Sequence, residues 1–262
     1  MKLSGRKAIV TGGARGLGRA YARRLVRLGA QVVALDIDPD GAAAFGEQPG
    51  DPEEAALDAM IADQRADLTI RTDAEAAILE AVGRLGGVDI LLNNAGGAIT
   101  PADRSLPSIM SDEDVGIIMQ ANLMSTIYCC QAVLPHMTAP GGVIVNTSSM
   151  AGRVVAPGGK MAHYSVAKAA VTSFTRNLAA EVGPRGIRVN CIAPGIILTG
   201  RIKALAAERG IGTAADAEEI PLRRLGTPED CAGVIEFLVS DDSAYVTGQC
   251  ISVCGGKALT AA

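Results

Sequence analysis

Short apolar runs alternate with longer stretches of helical periodicity along the chain. Residues 7–12, KAIVTG, and 31–36, QVVALD, are apolar runs of strand length. Between them, GLGRAYARRLVRLGA repeats its apolar positions at helical spacing and closes on Gly29. The alternation continues with a strand inside 60–68, a helix over 73–87 and a strand over 88–96. A long helix then opens at Ser111, which with Asp114 resembles a capping box, and runs to about Met137. Further strands are predicted at 141–149, 187–195 and 248–256, with helices at 161–182 and 228–240. Val/Ile-rich strands without polar alternation, separated by helices, predict a parallel sheet covered on both faces. The expected fold is therefore a doubly wound α/β, Rossmann-type domain, and with no repeat or linker in view it occupies residues 1–262 as one unit.

Two segments break the pattern. GAAAFGEQPGDP, 41–52, interrupts an expected crossover helix, and Asp51-Pro52 reads as a helix start with aspartate as cap and proline at the first position. Residues 199–221 contain helical pieces broken by Gly210 and Gly212, a candidate substrate lid or a plain surface excursion.

Composition narrows the function classes. The 262 residues are 48% hydrophobic and 20% charged, which suits a globular chain, and a net charge of -4 without basic runs argues against a nucleic-acid partner. No membrane span or signal peptide is expected, and the six cysteines, scattered through apolar segments, predict reduced thiols in a cytoplasmic protein with no metal site.

Chemistry enters through three features. TGGARGLG follows the first strand and opens the first helix, so Gly12, Gly16 and Gly18, with Arg15 and Leu17 between them, can cradle a pyrophosphate at a helix N-terminus. Asp36, at the end of the second strand, can accept from both adenosine ribose hydroxyls and repels a 2′-phosphate, which favours NAD, although Arg15 argues in the opposite direction. Tyr164 and Lys168 are four residues apart, on one face of the 161–182 helix. A free phenol, with a pKa of about 10, is a poor base at neutral pH, and a neighbouring ammonium favours its charged form.

Together TGGARGLG, NNAG at 93–96, Asn122, Ser149, Tyr164-x-x-x-Lys168 and PGIILT at 194–199 resemble the short-chain dehydrogenase/reductase family, in its order and over nearly the whole chain. PLRRLGTPED and YVTGQCISVCGG add to the likeness. The resemblance implies a seven-stranded sheet, and hydride transfer between nicotinamide and a secondary alcohol or its ketone, with Tyr164 as acid/base. Lys168 and the positive charge of the oxidised nicotinamide would lower the Tyr164 pKa, Lys168 would hold the nicotinamide ribose, Ser149 would bind the substrate oxygen, and Asn122 would hold a water. Asp67 and Leu68 would flank the adenine, while Asn94, Ala95 and Gly96 line the cofactor floor and Pro194, Gly195, Ile197 and Thr199 contact the nicotinamide end. The family habit of pairing through its two long helices implies a homotetramer. Ser148 competes for the serine role, because the spacing from Ser149 to Tyr164 is two residues longer than the common pattern. Cys254 stands where the family usually has aspartate. His163 reads as a pocket-mouth residue or a proton relay. An NADPH-dependent 3-oxoacyl reductase of the same fold, or a non-catalytic NAD-binding sensor or scaffold, remain as alternatives.

Overall fold

The computed structural model describes residues 1–41, 45, 50–137 and 141–259. Its seven strands are β1 (Lys7–Thr11), β2 (Gln31–Asp36), β3 (Ile61–Arg65), β4 (Ile90–Asn93), β5 (Val143–Thr147), β6 (Arg188–Pro194) and β7 (Cys250–Val253). They form one sheet in the order β3-β2-β1-β4-β5-β6-β7, every pair parallel. The order reverses at β1, whose neighbours are β2 and β4, and the carboxyl ends of β1 and β4 bound the crevice where such folds take ligands.

Alternate strand residues enter two separate cores, as the period of two requires. Ala8 and Val10 of β1 join a cluster with Leu25 of α1 (Gly16–Arg27) and Ile235 of α9 (Pro228–Val239). Ile9 joins a second cluster on the opposite face. It packs with Ile78 of α3 (Arg71–Leu85), Val133 of α5 (Ser125–Val133) and Leu178 of α6 (Ala162–Val182). Fully buried side chains such as Ile9, Leu91 and Ile144 each stabilise by about 1.5–3 kcal/mol. This two-sided burial is why the strands read as unbroken apolar runs.

The remaining helices follow local signals. α2 (Pro52–Asp58) starts as expected, with the Asp51 side chain accepting from Glu54 N. Most of the preceding interruption, 42–44 and 46–49, lies outside the described residues. Ser111 caps α4 (Asp112–Met119) by accepting from Asp114 N at 3.1 Å, and its own hydroxyl donates to the Asp114 carboxylate. α4 runs through a π-turn, Gln120–Met124, into α5, so that 112–136 is one long helix. That helix is long and apolar enough to cross a membrane by composition alone, yet Cys129, Cys130 and Val133 bury its inner face in the second core. The ambiguous segment 199–221 contains α7 (Gly200–Arg209) and α8 (Ala214–Glu218). They are divided where Gly210 and Gly212 take φ of 60° and 78°, a region that favours glycine.

Candidate active site

The loop after β1 is shaped by glycine. Gly12 and Gly16 have φ of 63° and 55°, and a Cβ on Gly18 would lie 1.9 Å from Gly12 O. The N-cap of α1, Arg15, makes no side-chain capping bond, and no acidic residue occupies the first turn. The first turn thus adds no carboxylate of its own at the positive end of the helix dipole, which suits a pyrophosphate seat. Leu17 packs onto the first core. The loop after β4 is tied to this cradle: Asn94 Nδ2 donates to Gly12 O at 3.1 Å, and Asn94 N and Ala95 N donate to Thr11 Oγ1. Gly96, φ 125°, lies so close to Asn122 that a Cβ there would meet Asn122 Oδ1 at 2.5 Å. These cramped glycines fit a dinucleotide laid across the crevice.

Asp36 ends β2 against the cradle. It is 8% exposed, and its two oxygens accept from Ala14 N and Asp38 N, both at 3.1 Å. Arg15 turns toward Asp38, 3.7 Å away, and stacks over the Phe45 ring. Asp67 accepts from Thr69 N and Thr69 Oγ1 and lines an edge groove with Ile37 and Gln64. Leu68, expected beside the adenine, sends its side chain into the second core.

At the far end, Pro194 closes β6, and Gly195 sits where a Cβ would be 2.9 Å from Cys254 Cα. Ile197 is buried and bridges to Gly226. Thr199 Oγ1 accepts from Ile202 N, fixing the start of α7. Its hydroxyl hydrogen is not used by that bond, so it can still donate to a ligand.

The Tyr164/Lys168 pair lies at the carboxyl end of β5. Lys168 is buried, and its Nζ donates to Thr147 O at 2.8 Å and stands 5.8 Å from the Tyr164 ring centre. Burial lowers the Lys168 pKa to about 8. In the chain by itself the Tyr164 pKa is not lowered on balance. Burial raises it above the ordinary 10, opposed by a hydrogen bond with Ser149 and by the charge of Arg201. Taking a phenolate out of water outweighs what these two neighbours return.

The two serines have different surroundings. Ser148 is buried and engaged with Lys168 O at 2.8 Å and Thr172 Oγ1 at 2.9 Å. Ser149 is half-buried and meets the Tyr164 hydroxyl, while its Oγ accepts from Ala151 N. Asn122 occupies the π-turn. Its amide brackets Gly97, donating to Gly97 O at 3.0 Å and accepting from Gly97 N at 2.8 Å, and it also donates to Ile118 O. The Asn122 main-chain oxygen accepts from Thr126 Oγ1. Asn93 instead braces the sheet, donating to Asn146 Oδ1 and Cys130 Sγ.

Sequence reasoning missed Arg201 and the contact made by His163, which was read as a pocket-mouth residue or proton relay and is instead buried. Arg201, at the start of α7, donates to Ala98 O at 3.3 Å and brings a cation to Tyr164. His163 bonds to Thr100 from the same loop. Neither carries a local signal, because both depend on loops from distant segments meeting.

A sheet with this switch point, a glycine cradle after β1 and a serine–tyrosine–lysine group at the other end of the crevice define a nucleotide-dependent oxidoreductase. A family model described as Enoyl-(Acyl carrier protein) reductase matches residues 12–258. The chain belongs to the short-chain dehydrogenase/reductase family, whose members bind a nicotinamide cofactor. It is 42% identical to a cyclohexanol dehydrogenase of Rhodococcus sp. (strain TK6), over 98% of this chain and 97% of that one. It is 37% identical to a 3-oxoacyl-[acyl-carrier-protein] reductase of Vibrio cholerae, over 98% of each. A solved short-chain type dehydrogenase/reductase from Mycobacterium marinum superposes with a TM-score of 0.86 at 30% identity, covering 99% of this chain and 98% of that one.

Proposed function

We propose that this protein is an NAD-dependent dehydrogenase that interconverts a secondary alcohol and its ketone. The observation that carries the reading is the meeting of Ser149, Tyr164 and Lys168 beside Thr147, at the carboxyl end of β5. When bound, the nicotinamide takes up or supplies the hydride. Tyr164 accepts the hydroxyl proton of the alcohol during oxidation and returns one to the ketone oxygen during reduction. Ser149 hydrogen-bonds that same oxygen and holds it beside Tyr164. Lys168 and Arg201 favour the phenolate, and Lys168 also bonds the nicotinamide ribose. Asn122 keeps the loop at Gly97 in place and, through its main chain, supports a water next to Lys168.

The cradle of Gly12, Arg15, Gly16, Leu17 and Gly18 holds the pyrophosphate, Asp36 the adenosine ribose, and Asp67 with the Leu68 main chain the adenine. Asn94, Ala95 and Gly96 form the floor, while Pro194, Gly195, Ile197 and Thr199 bound the nicotinamide. A buried carboxylate at Asp36 repels a 2′-phosphate, which supports NAD over NADP. The 42% identity to a cyclohexanol dehydrogenase supports a small, neutral alcohol as substrate.

The test is spectrophotometric: purified protein with cyclohexanol and other secondary alcohols, NAD against NADP, followed by cofactor absorbance. NAD-linked turnover is expected, lost in Tyr164→Phe while NAD still binds. A marked preference for NADP, or turnover undiminished in Tyr164→Phe, would sink the reading. The second reading, an NADPH-dependent 3-oxoacyl reductase, is favoured by Arg15 at the ribose end and by the Vibrio cholerae relative. Reduction of an acetoacetyl thioester with NADPH rather than NADH would select it.

A further inference from the structure

The loop after β4 is fastened by side chains from three other segments. Asn122 brackets Gly97, Arg201 reaches Ala98 O, and His163 Nε2 lies 3.0 Å from Thr100 Oγ1. Further along, Ser105 Oγ accepts from Met161 N at 2.9 Å, and Ser105 O accepts from Ala162 N. The His163 and Ser105 contacts both land on the first turn of α6, the turn that carries Tyr164.

That turn begins awkwardly. Its N-cap, Met161, has φ 63° and makes no side-chain capping bond. The first N–H groups of a helix have no partner within it. Ser105 O accepts from Ala162 N, Ser165 N already reaches Met161 O, and Tyr164 N donates to His163 Nδ1 at 2.8 Å. A ring nitrogen that accepts from an N–H carries no proton, so the proton of the neutral imidazole is on Nε2 and is donated to Thr100 Oγ1. His163 is 2% exposed and Thr100 6%, so bulk water does not substitute for either bond.

We propose that His163 is a positioning residue for Tyr164. The neutral ring joins the tyrosine main chain to the loop after β4, and protonation at Nδ1 breaks the first of those bonds. This rests on the reading of Tyr164 as the acid/base. The charge that reaches the ring is that of Asp114, on α4, which favours the imidazolium and is itself paired with Arg104 at 3.3 Å. Tyr164 and Lys168 follow on α6, and Arg201 of α7 grips the same loop. Burial outweighs Asp114 and lowers the His163 pKa below its ordinary 6.5. In ketone reduction Tyr164 must be protonated, and with its pKa above 10 it stays so through the acid range. Loss of reduction on acidification is therefore assigned to His163.

The experiment uses the whole protein with cyclohexanone and NADH between about pH 5 and 8, comparing wild type, His163→Ala, His163→Asn and Thr100→Val. Wild-type kcat is expected to fall about tenfold per pH unit below the ring's titration. His163→Ala should lower kcat near pH 8 at least about tenfold with the KM for NADH little changed, since the clamp acts on the tyrosine and not on the nucleotide. His163→Asn, whose side-chain oxygen can accept from Tyr164 N, should recover part of that loss and show no acid limb. Thr100→Val, cutting the link at Nε2, should fall between them. Wild-type kcat in His163→Ala, or an acid limb persisting in His163→Asn, overturns the proposal. Nitrogen NMR gives a readout independent of turnover, since the chain has only two histidines. A proton on Nδ1 of His163 overturns the proposal even if cyclohexanone is not a substrate, whereas absence of turnover with any ketone counts against the proposed function alone.

Discussion

Lys168 holds its ammonium against Thr147 O with burial pulling its pKa to about 8, and this has a thermodynamic consequence. The unfolded chain keeps a lysine protonated to about pH 10.4. Below about pH 8 both states carry the charge, and the folded state bears the full desolvation penalty, about 3 kcal/mol from the size of the shift. Between about pH 8 and 10.4 the unfolded state binds more protons, so this residue's contribution to stability rises with pH. In nucleotide-free protein, Lys168→Met should flatten that dependence, and the stability difference from wild type in urea melts should shift between pH 7 and 10. Arg201 lowers the Tyr164 pKa. Arg201→Met should therefore move the rise of alcohol oxidation to higher pH, read from the pH profile of kcat/KM. Gly18 has no space for a side chain beside Gly12 O. Gly18→Ala should weaken nucleotide binding by at least about tenfold in calorimetry.

At the level of elements, the helix ends follow rules that act within a few residues. Thr227 and Asp230 form a complete capping box with Pro228 at the first position, and Arg224 adds a bidentate pair to Asp230. Thr227→Ala should cost about 1 kcal/mol by chemical denaturation. The Ser111 start of α4, Asp51-Pro52 and the glycine breaks at 210 and 212 were legible in the sequence. The π-turn at Gln120–Met124 was not. Nothing in QANLM marks it, yet it is the turn that presents Asn122 to Gly97. Non-α turns of this kind recur at functional sites. The Met161 backbone at φ 63° was equally hidden, since a methionine carries no preference for that region.

For the whole molecule, the parallel sheet makes the site a composite of loops far apart in the chain, all at the carboxyl ends of the strands. Nucleotide binding should therefore stiffen the entire fold: NAD at about 100 times its Kd is expected to add about 2.7 kcal/mol, visible as a rise in Tm. Ile109, Ile117 and Val166 remain exposed on or beside the long helices, a pattern that supports assembly there. A homotetramer is expected in light scattering, and Val166→Asp should reduce the mass observed.

The residues by themselves determined the alternation of strands and helices, the glycine cradle and the i,i+4 spacing of Tyr164 and Lys168, because each is written within a few turns of chain. Only the tertiary structure decided that Ser149 rather than Ser148 meets Tyr164, that Leu68 goes inward, and that burial pushes the tyrosine pKa upward against its polar neighbours. Desolvation and cross-loop contacts arise from what surrounds a side chain in three dimensions, and such surroundings leave no period or motif in the sequence.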